Sequence, residues 1–131
     1  MEKKAVRTFK DLVAWQKAHE LTLAIYQIAK AFPSDEKFGI ISQLRRSVSS
    51  VATHIVEGHQ RNSRKDFLHF LNLADASLEE TKYHLIWSKD LGYLDGSYFD
   101  PFILQCEEVG RILFGFQKSL KVHSYRLTLN A

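Results

Sequence analysis

The chain has 131 residues, 45% of them apolar, and a formal net charge of +3. That length fits one domain, 1–131, with one sizeable core, and the apolar share excludes an intrinsically disordered chain. No apolar run approaches the roughly 20 residues of a membrane span, and the single cysteine, Cys106, excludes a disulfide within the chain.

A reducing cytoplasm is the expected compartment. The N-terminal stretch MEKKAVRTFKDL is basic, lacks an apolar core and predicts no signal peptide. Charge is distributed in blocks. Residues 1–10 carry +3, residues 11–42 carry −1, residues 43–65 carry +4, residues 66–110 carry −7 and residues 111–131 carry +4. Such asymmetry suits a polyanion partner on one surface or head-to-tail pairing of subunits.

Thr8-x-x-Asp11 resembles a capping box and predicts a helix over about 9–31. Two adjacent stripes follow at steps of three or four: Leu12, Trp15, His19, Thr22, Tyr26 and Ala29, then Leu21, Ile25, Ile28 and Phe32. Pro33 ends this helix, because the residue before a proline is driven out of the helical region. Ser34, with Asp35 and Glu36 behind it, is the expected cap of a second helix over about 35–57. Its apolar residues Ile41, Leu44, Val48, Val51 and Ile55 keep heptad pacing. Gly58 is the expected stop.

Ser63-x-x-Asp66 is a second capping-box pattern and opens a third helix over about 64–91, with Phe67, Leu71, Ala74, Leu78, Thr81 and Leu85 on one face. Asp95-Gly96 signals a turn. Ser97-x-x-Asp100, with Pro101, predicts a fourth helix over about 98–121. The pattern fades in the tail, 122–131, which is expected to be disordered or to pack on a neighbour. Helices of ~22–28 residues would each run ~33–42 Å. Short links make consecutive helices antiparallel. The fold class is therefore all-α, an up-down-up-down four-helix bundle.

Motifs for chemistry are absent. His54, Glu57 and His59 are the nearest approach to a metal set, but they do not form H-E-x-x-H, and no Glu-x-x-His pair exists for a di-metal bundle site. No G-x-S-x-G elbow or phosphate-cradling glycine loop is present. Cys106 falls on a core face, where thiols are inert. The chain is thus expected not to be an enzyme and to need no cofactor or metal. Arg61, Arg64 and Lys65, in the elbow between the second and third helices, are the candidate nucleic-acid contacts, with Arg45 and Arg46 behind them. Arg45 and Arg46 are adjacent, so they point about 100° apart on a helix. One of them is equally suited to an ion pair with the acidic stretch 75–80. The alternative reading is an interaction scaffold that touches another protein and no nucleic acid, through Tyr93, Tyr98 and Phe99 at one end.

Several motifs, in order, carry a family resemblance. They are F-x-D-L-x-A-W-Q-K-A from Phe9, F-P-S-D-E-K-F-G from Phe32, S-Q-L-R-R from Ser42, I-V-E-G from Ile55, S-R-K-D-F-L-H-F-L from Ser63, A-S-L-E-E-T from Ala76 and D-L-G-Y-L from Asp90. Together they span about residues 8–121. The chain resembles the four-helix bundle family of proteins encoded by intervening sequences in bacterial 23S ribosomal RNA genes, together with the accessory variability determinant of diversity-generating retroelements. His54 and Val56 depart from an N-I-A-E-G pattern, and Asp75-Ala76-Ser77 stands where R-G-S is typical. The resemblance implies a homopentameric barrel and a noncatalytic role. Its retroelement members imply nucleic-acid binding through basic surface and a reverse transcriptase as partner.

Overall fold

A computed structural model describes residues 6–129, with side chains through residue 122. Four α-helices make up the fold: α1 Val13–Ala29, α2 Ile40–His59, α3 Arg64–Asp90 and α4 Gly96–Leu129. They pack in a square, each against its neighbours in sequence, with α1 closing onto α4. Thr22 reaches the Val48 carbonyl, His54 meets Phe70, and Gln117 bonds Asn72, so every adjacent pair runs antiparallel. The expected up-down bundle is present. The expected tail, 122–131, lies largely outside the residues with described side chains, but the backbone is helical as far as Leu129.

The ends of the helices differ from expectation in instructive ways. Thr8 and Asp11 do form a reciprocal capping box, yet it closes a single 3-10 turn, Phe9–Asp11. Leu12 is extended and buried, so α1 begins only at Val13. Ser34–Glu36 likewise forms its own 3-10 turn and does not cap α2, which starts at Ile40. α4 is capped by Asp95, whose carboxylate accepts from the Ser97 N–H at 2.9 Å; Ser97 is not the cap. Those bonds to Ser97 hold the Asp95 carboxyl below its ordinary range. α3 closes as the sequence suggests. Gly92 takes φ +82°, the Tyr93 N–H bonds the Ser88 carbonyl, and the Gly92 N–H bonds that of Lys89, a Schellman motif.

Gly58 is the clearest correction. It is not the end of α2 but lies inside it, buried, and the helix runs on to His59. A Cβ at this position would stand 2.8 Å from the Phe70 Cβ and 2.9 Å from Phe67 Cδ1. The glycine lets α3 cross α2 at close range.

The core confirms the heptad of α2. Leu44, Val48, Val51 and Ile55 are fully buried, and each such side chain contributes ~1.5–3 kcal/mol by leaving water. On α1 the second stripe is the deeper one: Leu21 and Ile25 are buried, while His19 and Tyr26 face out. Trp15 is half-buried, stacked on His19 and edge-on to Phe9.

A candidate nucleic-acid interface at the basic pole

Antiparallel packing decides which charges meet. The start of α1, the α2–α3 elbow and the far part of α4 all lie at one pole of the bundle. Among the described residues, Arg7 and Lys10, Arg61, Arg64 and Lys65, and Lys118 and Lys121 therefore share that pole, facing Asp11, Glu57 and Asp66, for a net charge of +4 over these ten. The opposite pole, residues 30–40 and 88–100, holds Lys30, Lys37 and Lys89 against five acids and carries −2. Three sequence blocks that are distant along the chain come to the same pole. The signal for Lys118 and Lys121 was the terminal charge block, but only the topology brings it to the elbow.

The elbow residues differ in their freedom. The Arg61 guanidinium lies over the Phe70 ring, 4.7 Å from its centroid. Arg64 and Lys65 form no ion pair among the described residues. Both occupy the first turn of α3, where the helix dipole disfavours cations by about 0.3–1 kcal/mol. Helix stability therefore gives no reason for them to be there.

Arg45 and Arg46 are not part of this patch. Fourteen positions along α2 separate Arg45 from His59 at the start of the elbow, or roughly 21 Å. Arg45 lies over the Tyr26 ring at 4.9 Å and donates to the Tyr26 carbonyl, tying α2 to α1. Arg46 bonds Glu80 and the Gln43 amide. Of the two roles open to this pair, Arg46 has the ion pair with the acidic stretch, and the two side chains diverge onto different neighbours.

Beside Glu80 lies a buried polar chain that the sequence did not reveal. Ser47 Oγ and His84 Nδ1 are 2.9 Å apart, and the Thr81 hydroxyl donates to Ser47 at 3.1 Å. Glu80 is 3.7 Å from His84 Nε2. These groups superficially resemble a Ser-His-Glu triad, but Ser47 is fully buried and its hydroxyl donates to its own helix at the Leu44 carbonyl. The arrangement satisfies polar groups where small residues bring α2 and α3 together. Burial lowers the His84 pKa from its ordinary 6.5, outweighing the nearby Glu80 carboxylate, while Arg46 adds to the lowering.

The remaining candidates also have places. His54 Nδ1 is 3.6 Å from Glu57, and no group of three or more metal-capable side chains occurs among the described residues. Cys106 is buried, and burial pushes its thiol up to about 12. Tyr93, expected to be a free contact, is half-buried, and its hydroxyl donates to Glu36 at 3.0 Å. Phe99 is half-buried under Lys89, and Tyr98 alone of the three stands exposed. A larger apolar stripe, Tyr83, Ile86, Trp87 and Leu91, is exposed along α3. Among the described residues no helix is long and apolar enough to cross a membrane.

Comparison with known proteins agrees with the fold. No curated protein matches the chain. A solved structure of a protein of unknown function from the S23 ribosomal protein family of Bacteroides thetaiotaomicron is 27% identical, with a TM-score of 0.76 over 81% of this chain and 96% of that one. The family model for the 23S rRNA-intervening sequence protein matches residues 10–115, a span that takes in α1 to α3 and most of α4. The chain belongs to the 23S rRNA-intervening sequence protein family.

Proposed function

We propose that the protein is a noncatalytic accessory factor that binds RNA or DNA through the phosphate backbone, acting as a homo-oligomer. The carrying observation is the gathering of seven cations at one pole among the described residues, where Arg64 and Lys65 form no ion pair. Phosphate contacts add through counterion release, so several copies of a modest patch produce substantial affinity. Nothing in the bundle resembles a recognition helix or an aromatic RNA-binding sheet, so binding is sequence-tolerant at the backbone level. Arg45 and Arg46 serve the bundle in this reading. The resemblance to the retroelement proteins adds a pentameric ring and a nucleic-acid enzyme, such as a reverse transcriptase, as partner.

The test is fluorescence anisotropy of a labelled structured RNA and a matched duplex DNA at rising salt, with the variant Arg61→Ala/Arg64→Ala/Lys65→Ala alongside. Salt-sensitive binding that this variant loses while keeping its helicity supports the reading. No binding at about 50 mM salt, where phosphate contacts are strongest, overturns it.

A second reading, a protein-binding scaffold, is favoured by the exposed Tyr83, Ile86, Trp87 and Leu91 stripe. Apolar surface of this kind marks protein contacts. It predicts an oligomer that persists at salt concentrations where no polyanion binds.

A further inference from the structure

The basic elbow encloses two carboxylates, an odd choice for a surface that only attracts phosphate. Glu57, Gln60, Arg61, Asn62 and Asp66 line a cavity of about 370 Å³ at the turn between α2 and α3. All five end in planar hydrogen-bonding groups. The Gln60 and Asn62 amides and the Asp66 carboxylate have no partner among the described residues.

Asp66 is telling. Its sequence position matches that of Asp11 in the first capping box, and there the carboxylate returns to the Thr8 N–H at 3.1 Å. At Ser63 only half the box forms. The Ser63 hydroxyl accepts from the Asp66 N–H at 3.1 Å, and the carboxylate is left to the cavity. On the other side, the Arg61 guanidinium rests over the Phe70 ring, with the arginine side chain exposed.

We propose that this cavity receives an unpaired nucleobase, with guanine preferred, from a strand whose phosphates lie on the surrounding cations. The proposal rests on the nucleic-acid reading above and names the part of the polymer that the elbow takes. Phosphate is repelled by Glu57 and Asp66. A base edge rich in N–H donors is accepted by them, and guanine offers N1–H and N2–H side by side to a carboxylate. The amides of Gln60 and Asn62 can donate to the guanine carbonyl. The plane of Arg61 supplies a stacking surface of the kind unpaired bases use. A base held in a duplex cannot enter.

The experiment uses the full chain and short labelled oligouridylates of equal length, with guanine, adenine, uracil or an abasic unit at the centre. An arginine-rich peptide serves as a competing class of ligand. The guanine oligomer should bind about tenfold more tightly than the abasic one, the worth of one well-held base. Asp66→Asn keeps the backbone N–H that Ser63 caps, and Glu57→Gln is the second variant. In at least one of them the guanine preference should fall while affinity for the abasic oligomer holds or rises, because an acid has gone. Equal affinity for all four oligomers overturns the base cavity and leaves the charged pole standing. A guanine preference unchanged in both variants overturns the assignment to this cavity. Failure of every oligomer to bind, with or without capture of the peptide, overturns the cavity; the nucleic-acid reading falls with it when the structured RNA and the duplex DNA also fail to bind at about 50 mM salt.

Discussion

Gly58 and Phe70 meet so closely that a β-carbon on the glycine would stand 2.8 Å from that of the phenylalanine. The Phe70 Cβ is fixed to the α3 backbone and cannot rotate away. Replacing a helical glycine by alanine normally gains up to ~0.5–1 kcal/mol in helix propensity, and less this close to the helix end. Overpacking costs ~1–3 kcal/mol and wins here. Gly58→Ala should lower the urea midpoint of unfolding, whereas Gly115→Ala, where a Cβ meets nothing within 4 Å, should not.

The two groups of arginines should separate in binding. Arg45→Ala/Arg46→Ala removes two cations that face Tyr26 and Glu80 and should leave polyanion affinity nearly unchanged. Arg61→Ala/Arg64→Ala/Lys65→Ala should weaken binding across all sequences and reduce the salt slope by about 3. Lys118→Ala/Lys121→Ala should reduce it by about 2. The slope of log affinity against log salt is the measurement.

His84 predicts a pH dependence of stability. Its folded pKa lies below the ordinary 6.5, so the unfolded chain takes up the proton first as pH falls. The contribution of neutral His84 is complete above the ordinary value and declines as pH falls through it towards the folded value. Glu80 and Arg46 oppose each other beside the ring. Urea midpoints measured between about pH 7.5 and 5 should fall more steeply for the wild type than for His84→Gln.

The stripe on α3 should govern self-association. Tyr83, 61% exposed, stacks on Trp87, and Ile86 and Leu91 extend the apolar surface. Tyr83→Ala/Trp87→Ala should shift sedimentation towards the monomer without loss of helicity, since neither residue is in the core.

Cys106 should be silent in the folded state. Burial raises its thiol to about 12 and closes off reagent access. A maleimide should label it in denaturant and leave it unmodified in native buffer.

Periodicity is a local property, and it determined most of the fold. The heptad Ile41, Leu44, Val48, Val51 and Ile55 is buried as its spacing requires, and the Leu71–Leu85 face of α3 is too. Short polar links then leave little choice but antiparallel neighbours. Caps were less legible, since Thr8, Ser63 and Ser97 carry the same Ser/Thr-x-x-Asp pattern, Ser34 is followed at once by two acids, and only their surroundings choose between a box, an isolated turn and a half-made cap. Gly58 illustrates the same limit: a glycine near a helix end serves equally well as a stop or as a crossing point, and only the approach of Phe67 and Phe70 decides.

The candidate site was legible as charge but not as a surface. The sequence by itself determined that the termini and the elbow are basic and the middle acidic. Tertiary structure alone decided that Arg7, Lys10, Lys118 and Lys121 join the elbow, that Arg46, far along α2 from the elbow, is held by Glu80, and that Asp66 turns into a cavity. The physical reason is range. Helical spacing is written within a few residues, whereas the meeting of three distant charge blocks follows only once four antiparallel helices have packed.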